Sequence, residues 1–237
     1  MKITAFNGSP RGKKGNTYIM TEEFLKGASE AGAQVEQVLL AEKKINHCMG
    51  CFRCWVKTPG SCFINDDMKP LLKKLIATDV IVFATPLYVD NVTGLMKNFM
   101  DRIIPMGDPH IVKDEKGESR HPSRHEKTAK IVVISNCGFP EESHFQVLEL
   151  LFKRVARNMH SEVIAEIYRG EGELLKQTGP ELKPIIDKYK SVLRKAGREI
   201  VELSGLSGET IEELKKPLVP HDKYVATANK FFDRIVQ

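Results

Sequence analysis

The stretch Asp79-Val-Ile-Val-Phe-Ala-Thr85 is apolar without alternation and then stops at Pro86. A strand with one wet face alternates polar and apolar residues. An unbroken run therefore reads as a strand covered on both faces of a parallel sheet. Parallel neighbours need long crossovers, usually helices, and the rest of the chain supplies both. Residues 2–7, 34–40, 130–136 and 162–168 read as further strands bounded by Gly, Pro or Asn. A helix is expected over 16–31, with Ile19, Met20, Phe24 and Leu25 on its buried face and Asn16-Thr17 as its cap. A second starts at Asn65-Asp66-Asp67, with acidic groups in its first turn, and carries Met68, Leu71, Leu72 and Leu75 at helical spacing. Two more are expected over 93–104 and 145–159.

This alternation predicts an α/β fold with right-handed crossovers and helices on both faces. Five strands in residues 1–170 fit a flavodoxin-like, doubly wound parallel sheet of order 2-1-3-4-5. After Gly170 the pattern turns to helices only, over 180–203, 209–216 and 222–236. Residues 1–170 are thus expected to form one domain, and 171–237 an appended C-terminal helical segment packed on it. The longest stretch without periodicity, 105–127, reads as a loop of functional or mobile kind.

Composition narrows the function classes. With 41% hydrophobic and 28% charged residues, the 237-residue chain is globular and not disordered. It has no apolar run of the ~20 residues needed to cross a bilayer, and its first ten residues hold no signal-peptide core. A cytoplasmic protein without membrane partners is expected. The net charge of +5 is spread, with Lys and Arg interleaved among Asp and Glu. That pattern suits anionic cofactors and acidic partners more than nucleic acid. The local basic patch at 113–130, with Arg120, His121, Arg124 and His125, lies in the aperiodic stretch. The seven histidines lack metal-motif spacing and no Ser/His/Asp arrangement is evident, which argues against hydrolase chemistry.

Four of the five cysteines, Cys48, Cys51, Cys54 and Cys62, are spaced C-x2-C-x2-C-x7-C. Thiolates are soft ligands, and four of them suit an iron–sulfur cluster or zinc. Cys48, Cys51 and Cys54 also fall at i, i+3 and i+6, so one buried helical face with nothing bound fits as well. Clustered thiols in a reducing compartment favour metal or redox chemistry over disulfides. Cys137 stands apart and reads as a small buried residue.

The loop Gly8-Ser-Pro-Arg-Gly-Lys-Lys-Gly-Asn-Thr17 follows the first strand. It is neither G-x-G-x-x-G nor G-x-x-x-x-G-K-[ST], the shapes that dinucleotides and nucleoside triphosphates require. It offers the hydroxyls of Ser9 and Thr17, the Arg11 guanidinium, the Asn16 amide and backbone N–H groups at a helix start. Together these suit a phosphate monoester. In an open α/β sheet, ligands sit at the carboxyl ends of the strands. There the loops 86–91 and 136–140 add Tyr88, Asn91, a close-approach glycine and Phe139. A phosphorylated planar ring is implied, and FMN fits.

The segments Gly8-Ser9-Pro10-Arg11…Gly15-Asn16-Thr17 and Pro86-Leu87-Tyr88…Thr93-Gly94-Leu95-Met96-Lys97-Asn98-Phe99-Met100-Asp101-Arg102 resemble the NADPH-dependent FMN reductase superfamily. With the cysteine run, they resemble its iron–sulfur flavoprotein branch. The resemblance covers residues 1–170 and implies an FMN phosphate held by Ser9, Arg11, Asn16 and Thr17. It implies Pro86, Leu87, Tyr88 and Asn91 along the isoalloxazine ring, with Asn136, Gly138 and Phe139 completing the pocket. It also implies Cys48, Cys51, Cys54 and Cys62 as [4Fe–4S] ligands, and a homodimer or homotetramer in which one subunit's cysteine loop nears a neighbour's flavin. The expected function is an FMN-dependent oxidoreductase. NAD(P)H or a ferredoxin-type protein would donate electrons; a quinone, a nitro or azo compound, oxygen or a protein would accept them. The alternative is a non-enzymatic, flavodoxin-like electron carrier, against which the positive charge argues.

Overall fold

The structure is a computed structural model and describes residues 1–236. Strand β1 (Lys2–Asn7) leads through a glycine-rich loop into helix α1 (Asn16–Glu30), and strand β2 (Gln34–Leu39) follows. The cysteine segment holds one short helix, α2 (Arg53–Val56), and ends at α3 (Met68–Ile76). Strand β3 (Val80–Pro86) is buried at every position, as its unbroken apolar run requires. Helix α4 (Gly94–Asp101), strands β4 (Val112–Lys113) and β5 (Ser119–Arg120), strand β6 (Lys130–Asn136), helix α5 (Gln146–Asn158) and strand β7 (Val163–Arg169) come next. Helices α6 (Lys183–Leu203), α7 (Gly208–Lys215) and α8 (His221–Ile235) end the described chain.

The expected five-stranded parallel sheet is present, with its strands in the order β2-β1-β3-β6-β7. Each face buries its own apolar cluster. On one face Ile3, Val82 and Ile134 pack with Met20 and Phe24 of α1 and Leu193 of α6. On the other, Phe6, Phe83 and Val133 pack with Leu71 of α3, Phe99 of α4 and Phe152 of α5. Helix α6 thus joins α1 over one sheet face, and α7 adds Leu214 to the same cluster. Its seat is close: a Cβ on Gly27 would lie 1.8 Å from Arg194 O, and one on Gly197 would lie 1.9 Å from Phe24 O. Only glycines let the two backbones approach so far. Helix α8 differs, having no buried residue and exposing Phe231, Phe232 and Ile235. Among the described residues no helix is long and apolar enough to cross a membrane.

Several local expectations are corrected. Gly15 holds the N-cap position of α1 with no side-chain cap, and Asn16 and Thr17 are its first helical residues. Helix α3 has no acidic residue in its first turn; Asp66, before it, accepts the Met68 N–H at 3.0 Å. Helix α4 stops at Asp101, and a separate 3-10 turn covers Ile104–Met106. Residues 105–127 carry the antiparallel β4–β5 hairpin. Ion pairs hold it to α5, Arg157 to Asp114 at 2.7 Å and Arg154 to Glu118 at 2.9 Å. Such pairs leave no hydrophobic period in the sequence.

The α1–α6 seat yields a test. Alanine in a helix interior is favoured over glycine by about 1 kcal/mol. A methyl group 1.9 Å from the Phe24 carbonyl oxygen must instead push the helices apart. Gly197→Ala is expected to lower unfolding free energy by roughly 1–3 kcal/mol, measured by urea denaturation. A stabilised variant would show that the helices are not seated this closely.

Candidate functional site

Strands β3 and β6 end level with one another and β1 ends two residues short of them, and a polar residue at or next to each end fixes the loop beyond it. Asn7 pairs with Ala84, and Pro86 with Asn136, across the sheet. Asn7 Oδ1 accepts the Ser9 N–H at 2.9 Å, shaping the start of the first loop. Thr85 Oγ1 accepts the Thr93 N–H at 3.2 Å, and Asn136 Nδ2 donates to Thr17 Oγ1 at 2.8 Å. Gly8 ties two loops together: its N–H donates to Ala84 O at 2.7 Å, and its carbonyl accepts from Thr93 Oγ1 at 2.6 Å. A Cβ there would meet Met96 Cβ at 2.7 Å, so the first turn of α4 packs directly on this residue.

The resulting cavity, about 90 Å³, opens at the carboxyl edge of the sheet. Ser9, Arg11, Asn16 and Thr17 line one side, and Pro86, Leu87, Tyr88, Asn136 and Gly138 the other. Asn91 and Phe139 lie outside it. Asn91 closes a tight turn with Tyr88 through reciprocal backbone hydrogen bonds of 2.9 and 3.1 Å, and its Oδ1 accepts the Val92 N–H. Phe139 stacks on His144 with ring centroids 4.6 Å apart and is 61% exposed. Within the Tyr88–Asn91 turn, Val89 has φ of 48° and Asp90 of 56°. A β-branched residue there is strained by roughly 1–3 kcal/mol, and strain of this kind clusters at ligand clamps.

The loop is equipped for an anion. No group within the described chain accepts from the Asn16 and Thr17 N–H groups, which open α1 at its positive end. Thr17 Oγ1 accepts from Asn136, so its own proton is free to donate. The Arg11 guanidinium pairs at 3.0 Å with Glu173, which also lines the cavity. These donors fit a phosphate dianion, while a cavity of this size holds the head of a nucleotide and leaves its ring toward the open rim.

Glu173 and Tyr224 were not anticipated at this edge, whereas Cys137 lies in the expected loop 136–140. Tyr224, from α8, donates to Gly138 O at 2.6 Å. Nothing in the sequence places α8 there. Cys137 lines the cavity, but burial pushes its thiol up to about 11 despite its bond to Phe139 O, so it stays protonated. That suits a small buried residue and not a nucleophile.

The cysteine segment is not a buried helical face: Cys48 and Cys51 are exposed, and all five cysteines are free. Cys48, Cys51, Cys54 and Cys62 line one recess of about 20 Å³ with Arg102 at its back. Burial first, and then the nearby Cys62, Cys48 and Cys51, push the Cys54 thiol up. Among the described residues, no three His, Cys, Asp or Glu side chains converge as a metal site. The four thiols fit a cluster in donor chemistry and in sharing a recess, but not in convergence.

Arg102 anchors this segment. Its side chain is 1% exposed and pairs with Asp66, itself fully buried, through bonds of 2.7 and 3.1 Å. The same guanidinium donates to Asn46 O at 2.6 Å and Cys62 Sγ at 3.5 Å. The sequence carries a signal for it, since Arg102 continues the spacing of buried Met96 and Phe99.

A parallel sheet of this order, with a phosphate-suited loop between its first strand and first helix, defines a flavodoxin-like protein. Residues 1–168 match the NADPH-dependent FMN reductase family, and the chain belongs to that family. It is 39% identical over 142 residues to an iron–sulfur flavoprotein of Archaeoglobus fulgidus, covering 60% of this chain and 58% of that one. A second iron–sulfur flavoprotein, from Methanocaldococcus jannaschii, is 39% identical over 106 residues, 45% of this chain and 53% of the relative. The matches thus span little more than half of these relatives. Among solved structures, an NAD(P)H:quinone oxidoreductase from Methanothermobacter marburgensis superposes with a TM-score of 0.62 at 17% identity, covering 84% of this chain and 96% of that one. An FMN-dependent NADH-azoreductase from Bacillus anthracis, solved with FMN, gives 0.61 at 15% identity, covering 84% and 99%. Both share the fold.

The buried pair predicts a pH dependence. Burial alone would raise the Asp66 carboxyl; the Arg102 hydrogen bond, with the Asn46 and Met68 N–H groups, outweighs it and holds the group at about 2. A depressed carboxyl stabilises the fold above its unfolded-state value and loses that contribution as pH falls through its folded one. Wild type is expected to lose about 2 kcal/mol of stability relative to Asp66→Asn between pH 5 and pH 2. Urea midpoints across that range measure it; a constant gap would contradict the pairing.

Proposed function

We propose that the chain is an FMN-dependent oxidoreductase. On this reading residues 1–170 form its flavin-binding domain, and 171–237 form a helical extension packed on it through α6. The observation that carries the reading is the meeting of loops from β1, β3 and β6 at one edge, with unpaired phosphate donors in a chain of this family. Ser9, Arg11, Asn16 and Thr17 hold the FMN phosphate. Pro86, Leu87 and Tyr88 orient the ring, Asn136 and Gly138 close its inner side, and Asn91 and Phe139 shape the rim.

FMN, when bound, supplies the hydride and single-electron chemistry. The chain's residues fix where this happens. Asn136 holds the Thr17 hydroxyl as a donor to the phosphate. Arg11 is already oriented by Glu173 and offers charge to the dianion. The strained turn at Val89 presents the Tyr88 ring, 44% exposed, at the rim. NAD(P)H or a ferredoxin-type protein is the proposed donor. A quinone, a nitro or azo compound, oxygen or a carrier protein is the proposed acceptor.

Cys48, Cys51, Cys54 and Cys62 are the proposed ligands of a [4Fe–4S] cluster. Their soft donor set and shared recess support it, as do relatives named iron–sulfur flavoproteins. A reducing, cytoplasmic setting suits five free thiols. A homodimer or homotetramer is the proposed assembly. An amphipathic helix draws its stability from a covered face, and that of α8 is bare.

Anaerobic purification followed by iron and sulfide analysis, and then steady-state turnover with NAD(P)H and a quinone, tests the proposal. About four irons per chain and FMN-dependent turnover are expected. Flavin binding with almost no turnover would leave a flavodoxin-like carrier instead, and absence of iron after anaerobic reconstitution would remove the cluster.

A further inference from the structure

A cavity of about 620 Å³ opens between α4, the β4–β5 hairpin and α5, and shares no residue with the flavin-edge cavity. Cavities that hold small organic ligands span roughly 300–1,000 Å³. The floor is apolar, built from Met100, Ile103, Met106, Leu151, Val155 and Met159. Unbranched methionines adapt to the ligand they meet and contact aromatic rings favourably. Trp55 forms part of the wall. Its Nε1 donates to Ile104 O at 3.0 Å, and its ring lies 4.6 Å from that of His121.

The rim is cationic. Lys97, Arg120, Arg154 and Arg157 line it, with Asp101 as the single carboxylate. Three of the cations are already paired: Lys97 with Asp101 at 2.6 Å, Arg154 with Glu118 at 2.9 Å and Arg157 with Asp114 at 2.7 Å. Arg120 pairs with no carboxylate among the described residues. Its Nη1 donates to Arg157 O at 3.2 Å, and its Nε is buried without an acceptor. The Nε is sealed from the cavity, but the Nη2 group has no acceptor among the described residues, and an anion placed against it gains a charge-assisted hydrogen bond.

We propose that this cavity binds an aromatic monoanion, a planar ring system carrying one carboxylate or sulfonate. The rings lie on the methionine-lined floor beside Trp55, and the anionic group meets Arg120. Neutral rings would fill the floor but leave Arg120 unpaired, and a small inorganic anion would meet Arg120 but leave the floor wet. The site therefore selects for the two features together.

Trp55 is the chain's single tryptophan, so the site carries its own reporter. The full chain is titrated with 8-anilinonaphthalene-1-sulfonate while Trp55 emission is followed. Saturable quenching with energy transfer to the probe is expected. The same ring system without the sulfonate, N-phenyl-1-naphthylamine, is expected to bind about tenfold more weakly or worse. Arg120→Met should level the two probes, and Leu151→Phe, which fills the floor without adding a second tryptophan, should weaken both. Phe232→Ser on the exposed helix α8 should change nothing, and saturating FMN should leave the affinities for both probes unchanged.

Equal affinity for the two probes in the native chain would overturn the proposal, and that comparison stands even if the Arg120 variant does not fold. Displacement of the probe by FMN would place it in the flavin site and also overturn it. So would binding that falls with rising protein concentration, since the cavity would then be covered by a second copy. Loss of flavin binding in some preparation would not touch the result, because the two cavities share no residue.

Discussion

The register of three central strands is the constraint on which the rest depends. β3 is buried throughout and lies between β1 and β6, with Asn7 level with Ala84 and Pro86 level with Asn136. A slip of one residue would turn every side chain to the opposite face, which the two apolar clusters forbid. Because the strands are parallel, all three loops leave at the same edge. The polar residues at or beside those ends, Asn7, Thr85 and Asn136, then turn side-chain hydrogen bonds to the loops and to the first turn of α1. The core thereby positions the site, and gives it Pro86, Leu87 and Cys137 as part of its wall.

Charge is handled differently in the chain's two cysteine- and flavin-related regions. At the flavin edge Arg11 and Glu173 are both more than half exposed, so their attraction is weakened by water and an incoming phosphate can displace it. At the cysteine recess Arg102 and Asp66 are out of water, and breaking either partner leaves a buried charge. The first pair can exchange partners; the second is a fixed anchor. Through Asn46, Cys62 and Asp66, that anchor holds both ends of an otherwise irregular segment against α4.

The sequence was most legible where burial is two-sided. Strands β1 and β6 run over the residues their apolar patterns indicated, and β3 differs only at its ends. Helix ends were less so, because Gly15 caps α1 with no side-chain signal. The β4–β5 hairpin was not legible, since ion pairs to α5 hold it and such pairs have no period. The place of α6 was half legible: its amphipathic pattern required a surface, but only Gly27 and Gly197 reveal how closely it sits on α1. Of the residues expected at the flavin edge, Asn91 and Phe139 lie outside the cavity. Asn91 serves its own turn, and Phe139 turns outward to His144. Glu173 and Tyr224 arrive from distant sequence, which no local pattern announces.

The central claim is that a phosphate anchors the ligand at the first turn of α1. The most direct measurement compares the affinities of the native chain for FMN and riboflavin, which differ by the phosphate alone. Charged hydrogen bonds of about 1.5–3 kcal/mol each predict FMN binding at least tenfold tighter, a gap that Ser9→Ala with Arg11→Ala should largely erase. Equal affinity for the two flavins would contradict the account.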